Sequence, residues 1–267
     1  MLDRIRVKPG TAPALAKRDP SDHLGLENKD KAYALLEELR GRLEHLQQRL
    51  YAESRHSVLL VLQGLDASGK DGVIRKVFEG LNPQSCRVVS FKAPTSTELA
   101  HDYLWRVHVA LPARGEIGIF NRSHYEDVVA VRLLGLAPPK VWKRRPAHIV
   151  AWEQMLVDEG TTIVKVFLNI SKEEQRVRLQ ERIDDPEKRW KFRKSDLDVR
   201  ARFDEYVAAY EDVIEQASSD HAPWYVVPAD HNWVKATAVA LLLVDALEQI
   251  DPQLPEPEAG LEQLTIA

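Results

Sequence analysis

The sequence is poor in the features that cross-link a protein or anchor it in a membrane. Cys86 is the only cysteine among the 267 residues, which excludes an intramolecular disulfide and a cysteine-rich metal site. No uninterrupted apolar stretch reaches the ~18 residues that a membrane-spanning helix needs. The first residues, MLDRIRVKPG, lack the continuous apolar core of a secretory signal. We therefore expect a cytoplasmic protein that does not contact a membrane.

The chain also lacks a large excess of charge of either sign. Its net charge is -4, and hydrophobic residues make up 44% of it, which is typical of a globular protein. This charge gives no overall attraction to nucleic acid or to an anionic membrane, and neither is expected as a partner. A polyanionic ligand would have to be bound by local basic clusters.

Short apolar runs alternate with helical patterns along the chain. The runs predict strands at 57–63, 86–91, 116–120, 161–170 and 224–228. The patterns predict helices at about 29–52, 70–80, 96–110, 124–134, 146–158, 172–183, 196–217 and 233–249. Ser/Thr-x-x-Glu spacings at Thr95, Ser123 and Ser171 predict capping boxes. The alternation predicts an α/β fold with a mostly parallel sheet flanked by helices.

Proline, glycine and charge mark the ends of the predicted domain. Residues 1–27 are irregular in pattern and are expected to form an arm on the surface. Residues 28–250 are expected to form a single domain, and residues 251–267, rich in proline and glutamate, a loosely held tail. Ligands of such folds bind beyond the carboxyl ends of the strands.

The stretch GLDASGKDG, residues 64–72, has the pattern of a phosphate-binding loop. It matches G-x-x-x-x-G-K between a predicted strand and a predicted helix, the context that the pattern requires. The glycines allow backbone N–H groups to converge on phosphate oxygens, and a lysine neutralises their charge. The expected phosphate ligands are Gly64, Ala67, Ser68, Gly69, Lys70, Asp71 and Gly72.

Two carboxylates make this loop unusual. Asp71 occupies the position at which nucleoside triphosphatases carry the Ser or Thr that binds Mg²⁺. It is either part of the site or an acid that favours the helix dipole. Asp66 is either a turn residue or a ligand for a hydrated Mg²⁺.

A second motif, FNRSHYED (120–127), follows the third predicted strand. Arg122 is a candidate for a bidentate phosphate contact or for a surface salt bridge. Glu126 is either a catalytic carboxylate or the acid of the capping box that begins at Ser123. Asp127 is either a metal ligand or an ordinary first-turn acid.

Together, GLDASGKDG, FNRSHYEDV and SKEEQRVRLQERIDDPEKRWKF (171–192) resemble the polyphosphate kinase 2 family. The resemblance extends over residues 30–250. It implies a P-loop kinase-like core with a helical lid and a homo-oligomer. It also implies Mg²⁺-dependent, reversible transfer of a terminal phosphate from inorganic polyphosphate to AMP and ADP, giving ADP and ATP. Mn²⁺ is an alternative metal.

The resemblance also assigns residues. Asp66, Lys70, Arg122 and the acids after it match the family's functional positions, and Asn121 stands where many members have Asp. This version of the motif resembles a branch that phosphorylates AMP and sometimes ADP. We choose Asp66 and Asp127 as metal ligands.

The predicted lid, about 171–196, contains nine basic residues between Lys172 and Lys194. Arg178 and Arg182 lie four residues apart on one helix face, where they would stabilise the charge of the reacting phosphates or remain solvated. Further candidates are Arg75, Lys76 and Lys92 for the donor chain, and Lys188 and Trp190, with Asn121, Arg122 and Glu126, for the nucleotide.

Two other functions fit parts of the pattern. An ATP-dependent kinase for a nucleotide or another small molecule would use the same fold and Lys70 with a different donor. A nucleotide-binding switch is less consistent, because no N-K-x-D guanine-binding motif follows a strand. Compact zinc-ligand spacing and a G-x-S-x-G nucleophile turn are both missing from the sequence.

Overall fold

The computed structural model describes residues 1–261 and 264–266 and is built on one six-stranded sheet. The strands are β1 (Arg6–Val7), β2 (Ser57–Gln63), β3 (Cys86–Ser90), β4 (Ile117–Asn121), β5 (Thr161–Asn169) and β6 (Trp224–Pro228). Their order in the sheet is β1-β6-β5-β2-β4-β3. β2 to β6 pair in parallel, and β1 is antiparallel to β6 at one edge. The predicted mostly parallel sheet is confirmed.

Helices connect and cover the strands. In the described residues they are α1 (Leu2–Ile5), α2 (Lys29–Glu53), α3 (Lys70–Val77), α4 (Ser96–Leu99), α5 (Trp105–His108), α6 (Glu126–Leu133), α7 (Pro139–Trp142), α8 (Arg145–Asp158), α9 (Lys172–Asp184), α10 (Ser195–Ala201), α11 (Phe203–Ala217) and α12 (Asn232–Ile250). None of them is long and apolar enough to cross a membrane. The predicted helices at 96–110 and 196–217 are each divided in two, the second at Arg202.

Two groups of helices enclose the sheet. α12 packs against α2, α3 and strands β5 and β6, whereas α8 packs against β5, α6 and α11. Every residue of β2 is buried, because helices cover both faces of a parallel sheet. The continuous apolar run of β2 follows from this position.

The amino-terminal segment is attached more firmly than an irregular surface arm. β1 adds to the sheet edge, and the side chains of Ile5, Val7 and Leu15 are buried. Residues 262, 263 and 267 of the predicted tail lie outside the described residues. The division into arm, domain and tail stays a prediction.

The three predicted capping boxes have different outcomes. Thr95 and Glu98 form both reciprocal hydrogen bonds at the start of α4. Ser171 accepts a hydrogen bond from the Glu174 N–H at 3.0 Å. The box predicted at Ser123 is wrong, because α6 begins only at Glu126 and the Ser123 hydroxyl accepts from the Tyr125 N–H instead.

A buried ion pair links strand β5 to helix α8. Lys165 and Glu153 are both fully buried, and the Lys165 ammonium donates to Glu153 Oε2 at 2.5 Å. It also donates to the Ala217 carbonyl at 2.7 Å and to the Tyr125 hydroxyl at 3.0 Å. Such a pair is retained only when its remaining hydrogen-bonding groups are satisfied.

The topology brings the two sequence motifs together. β2 and β4 are neighbours in parallel, with Leu62 opposite Asn121. The loop that follows β2 and the loop that follows β4 therefore begin side by side at the carboxyl edge of the sheet, where ligands of such sheets bind.

Candidate active site

The glycines of the loop after β2 are required by its close packing. Gly64 has φ +147°, and a Cβ at this position would lie 2.8 Å from the Leu168 carbonyl oxygen. Gly69 has φ +99°, and its Cβ would lie 2.4 Å from Lys235 Nζ. Ser68 is fully buried, and its hydroxyl has no hydrogen-bond partner among the described residues. The loop therefore has the glycine conformation of a phosphate cradle.

Lys70 is the first residue of α3 and folds back over its own loop. Its ammonium donates to the Gly64 carbonyl at 2.7 Å and to the Leu65 carbonyl at 3.3 Å. Burial lowers the pKa of Lys70 to about 8, and the neighbouring Arg122 guanidinium contributes to the decrease. A largely buried cation inside a glycine loop provides a centre that attracts anions.

Arg122 follows β4 in a left-handed conformation with φ +62°, which costs an arginine about 1 kcal/mol or more. Its N–H continues the sheet by donating to the Leu62 carbonyl at 3.0 Å. The guanidinium donates to Asp66 Oδ1 at 2.5 Å. The strained backbone thus directs Arg122 to the acid within the phosphate loop.

Glu126 belongs to the same group of charges. Its carboxylate accepts a hydrogen bond from the Tyr210 hydroxyl at 3.3 Å. Burial raises the pKa of the Glu126 carboxyl above its ordinary value, and the nearby Arg122 and Lys70 oppose this shift. The capping box is therefore the wrong alternative for Glu126, and its role in the site stays a prediction.

Asp71 and Asn121 meet at the mouth of the loop. The Asn121 amide donates to Asp71 Oδ1 at 2.7 Å. An aspartate at position 121 would put two carboxylates face to face. The Asn121 amide avoids this repulsion and donates a hydrogen bond to Asp71 instead.

Asp127 lies in a different environment from Asp66. Its carboxylate accepts from Arg106 at 3.2 Å, and Arg145 donates to its backbone carbonyl at 2.5 Å. Burial raises the pKa of Asp127, and Arg106 opposes the shift. Asp127 and Asp66 contact different arginines, Arg106 and Arg122. The described residues contain no group of three or more His, Cys, Asp or Glu placed to hold a metal ion.

Arg178 contacts the loop from helix α9, and all five of its N–H groups have protein acceptors. They donate to the carbonyls of Ala67 (3.1 Å), Ser68 (3.3 Å), Ala229 (2.9 Å) and Asp230 (2.5 Å), and to Glu174 Oε1 (2.8 Å). Through these hydrogen bonds Arg178 fastens the loop to the segment after β6. Its direct role in catalysis stays a prediction.

Sequence reasoning missed Lys235 and Asp196. Lys235 Nζ donates to the Ser68 carbonyl at 2.8 Å from beneath the loop. Asp196, in α10, faces Asp66 and Arg182, and burial raises its pKa. Neither residue belongs to a motif, because α10 and α12 approach the loop only in the folded chain.

The remaining candidates lie in more exposed surroundings. Arg75 and Lys92 are exposed, and the Lys76 ammonium lies over the Tyr33 ring, 5.0 Å from its centroid. Lys188 pairs with Asp185 at 2.8 Å, and Trp190 is 77% exposed. None of these contacts is made to the phosphate loop, so their substrate roles stay predictions.

A parallel α/β sheet with a glycine loop and a buried lysine after a central strand defines a P-loop phosphotransferase. The family model of polyphosphate kinase 2 matches residues 26–255. The chain belongs to the polyphosphate kinase 2 family, as the motifs predict.

Similar proteins support this assignment over the full chain. The chain is 53% identical to the AMP/ADP-polyphosphate phosphotransferase of Meiothermus ruber, over 99% of this chain and 100% of that protein. It is 47% identical to the ADP-polyphosphate phosphotransferase of Rhodopseudomonas palustris, over 95% of this chain and 92% of that protein. The crystal structure of polyphosphate kinase 2 from Arthrobacter aurescens TC1 superposes with a TM-score of 0.94 at 41% identity, covering 98% of this chain and 93% of that one. The P-loop kinase-like fold is confirmed.

Proposed function

We propose that this protein transfers the terminal phosphate of inorganic polyphosphate to AMP and to ADP, forming ADP and ATP. The observation that carries the proposal is the largely buried Lys70 inside its glycine loop, with Arg122 beside it. This site lies in a chain that is 53% identical to an AMP/ADP-polyphosphate phosphotransferase. The transfer exchanges one phosphoanhydride bond for another and is therefore reversible.

The residues of the site suit direct in-line transfer, in which positioning and charge stabilisation account for most of the catalysis. Lys70 and the loop N–H groups hold the donor phosphates. Arg122 exchanges its contact with Asp66 for the transferred phosphoryl group. The charges of Arg182 on α9, Asp66 and Arg122 all act on Asp196 of α10, and we assign Arg182 to the donor phosphates.

The acids of the site fit a hydrated divalent cation. Asp66, Glu126 and Asp71 all exert their negative charge on Lys70. Mg²⁺ needs only one or two protein carboxylates when phosphates and waters complete its shell. We assign Asp66 as the principal protein ligand of the Mg²⁺ ion. Glu126, and not Asp127, is assigned as the second carboxylate close enough to bind it. When bound, Mg²⁺, or Mn²⁺ in its place, neutralises phosphate charge.

The donor is tested by supplying one donor at a time. The purified protein is incubated with AMP, Mg²⁺ and either polyphosphate or ATP, and ADP is followed by chromatography. With AMP as the acceptor and polyphosphate as the only donor, we expect ADP to form first and ATP later. With ADP as the acceptor and polyphosphate as the only donor, we expect ATP. Turnover of AMP with ATP but not with polyphosphate would instead identify an ATP-dependent kinase.

Two further properties accompany the proposal. We expect a homo-oligomer, which light scattering coupled to size-exclusion chromatography measures directly. A cytoplasmic location also stays a prediction, since the described helices establish only that none of them spans a membrane.

A further inference from the structure

Lys235 lies in the first turn and a half of α12, beneath the phosphate loop. It is 1% exposed. Its ammonium donates to the Ser68 carbonyl at 2.8 Å and to the Ala229 carbonyl at 3.0 Å. The side chain thus connects the middle of the loop to the segment that follows β6.

The contact with Ser68 fixes the orientation of one peptide group. The Ser68 carbonyl and the Gly69 N–H belong to the same planar trans peptide and point in opposite directions. Because the carbonyl is held towards Lys235, the Gly69 N–H is aimed to the other side of the loop. Backbone N–H groups at this kind of loop and helix start are the donors that bind phosphate.

The glycine at 69 is required by its φ of +99°, and the ammonium adds a second constraint. A Cβ on Gly69 would lie 2.4 Å from Lys235 Nζ, so any other side chain would displace the lysine or the loop. The two residues therefore form one unit in which a cation sits directly under the backbone.

Several charges surround Lys235. Burial lowers its pKa to about 7, Arg178 and Lys70 add to the decrease, and Glu174 and Asp230 oppose it. Arg178, which belongs to helix α9 and not to α12, donates to the same Ser68 carbonyl at 3.3 Å. Three basic side chains thus converge on one short loop, and a bound polyanion would favour their charged forms.

We propose that Lys235 is a positioning residue of the phosphate loop, which holds the Ser68 peptide so that the Gly69 N–H faces the bound donor. This proposal rests on the proposed function in one respect, that the loop holds polyphosphate. α12 belongs to the packed core, and so Lys235 holds the Ser68 carbonyl from a different helix than Arg178 on α9.

The test compares Lys235→Met, which keeps the length of the side chain and loses the donor, with Lys235→Arg, which keeps charge and donors. Lys31→Met, at an exposed position of α2, is the matched control. The KM for polyphosphate, the KM for AMP, kcat and Tm are measured for each protein. We expect kcat/KM for polyphosphate to fall roughly 10- to 100-fold in Lys235→Met through a higher KM, with the KM for AMP little changed. Lys235→Arg should recover part of the loss.

A purely structural role gives a different result. Lys235→Met would then have a lower Tm and a smaller active fraction, with an unchanged KM for polyphosphate, and this outcome overturns the proposal. If Lys235→Met does not fold, Lys235→Gln, a polar side chain one atom too short to make the same contact with the Ser68 carbonyl, is measured in its place. If that variant has the same KM for polyphosphate as the wild type, the proposal is also overturned.

Failure of the proposed function is visible separately. It would be seen in the wild-type protein as a lack of turnover with polyphosphate, before any variant is compared. The same set of variants is then measured with ATP as the donor, and the KM for ATP decides whether Lys235 positions the loop.

Discussion

Asp66 and Asp71 give an anion-binding loop two carboxylates of its own. In the structure, each is paired with a residue from the second motif: Asp66 with Arg122 and Asp71 with Asn121. These contacts satisfy both acids within the protein. A donor that arrives with divalent cations can replace them, because the cation takes over the carboxylates and the phosphate takes over the arginine.

The lowered pKa of Lys70, about 8, predicts a pH dependence. Lys70 is protonated below this value and loses its charge as the pH rises through it, so donor binding weakens on the alkaline side. We expect kcat/KM for polyphosphate, which reports the free enzyme, to decline above about pH 8. It is measured from about pH 6 to pH 10 at constant ionic strength.

Lys70→Arg is the control for this profile, because an arginine keeps its charge throughout the range. Its activity will be lower, but the decline with pH should be weaker. A wild-type profile that stays level through about pH 9 would show that the protonation of Lys70 does not limit donor binding.

The contact between Asn121 and Asp71 predicts how the family's alternative residue would act here. Asn121→Asp replaces a hydrogen bond with two facing carboxylates, so we expect a loss of about 1 kcal/mol in the free energy of unfolding without metal. Mg²⁺ should then raise the Tm of the variant more than that of the wild type. Thermal unfolding with and without MgCl₂ measures both effects.

The double variant Asp71→Asn/Asn121→Asp restores an amide opposite an acid and serves as the control. It should unfold like the wild type in the absence of metal. Equal Mg²⁺ responses in the wild type and Asn121→Asp would contradict the expectation that Mg²⁺ binds between the two facing carboxylates of the variant.

Motif residues were easier to predict than their partners. Lys70, Asp66, Arg122 and Glu126 occur in two short motifs, and the parallel pairing of β2 with β4 brings these motifs together. Asp127 differs from Glu126 by one position, but α6 turns its side chain towards Arg106. Lys235 carries no sequence signal, because a lysine in an apolar helix reveals its role only when the helix is packed against the loop.

At the scale of elements, the strands were predicted closely because a parallel sheet leaves a simple pattern. β2 runs over Ser57–Gln63, as its apolar run predicts, and β5 ends at Asn169, one residue short. Periodicity alone does not locate breaks, so the division of 196–217 at Arg202 was missed. β1 has only two residues and forms because it pairs with β6. Since β6 lies more than 200 residues further along the chain, no local pattern predicts this strand.

The Lys165–Glu153 pair joins β5 to α8 and predicts a strong coupling between these elements. Lys165→Met leaves a buried carboxylate without its cation, and we expect the free energy of unfolding to fall by about 3–5 kcal/mol. Lys165→Met/Glu153→Leu removes both charges and should recover much of the loss. Urea denaturation followed by tryptophan fluorescence measures each variant.

Lys31→Met, at an exposed site, controls for the substitution itself and should leave stability within about 0.5 kcal/mol of the wild type. If Lys165→Met were as stable as this control, the buried pair would contribute nothing to the attachment of α8.

At the scale of the whole molecule, the net charge of -4 contrasts with the cations that converge on one loop. Lys70, Arg178 and Lys235 come from α3, α9 and α12, and each donates to carbonyls within residues 64–70 or beside them. The fold therefore brings three basic side chains from separate helices to the loop at the carboxyl edge of the sheet, in a chain whose total charge is mildly negative. This distribution suits a polyanionic donor at a local site without general affinity for nucleic acid.

The central claim is that Lys70 and its loop hold the polyphosphate that phosphorylates the nucleotide. It is tested most directly by the rate of ADP formation from AMP and polyphosphate, without ATP, in the wild type and in Lys70→Met. We predict that the substitution lowers the rate by about 100-fold or more, while the Tm is preserved because the buried charge that is removed is costly. A folded Lys70→Met protein that forms ADP at nearly the wild-type rate would contradict the claim.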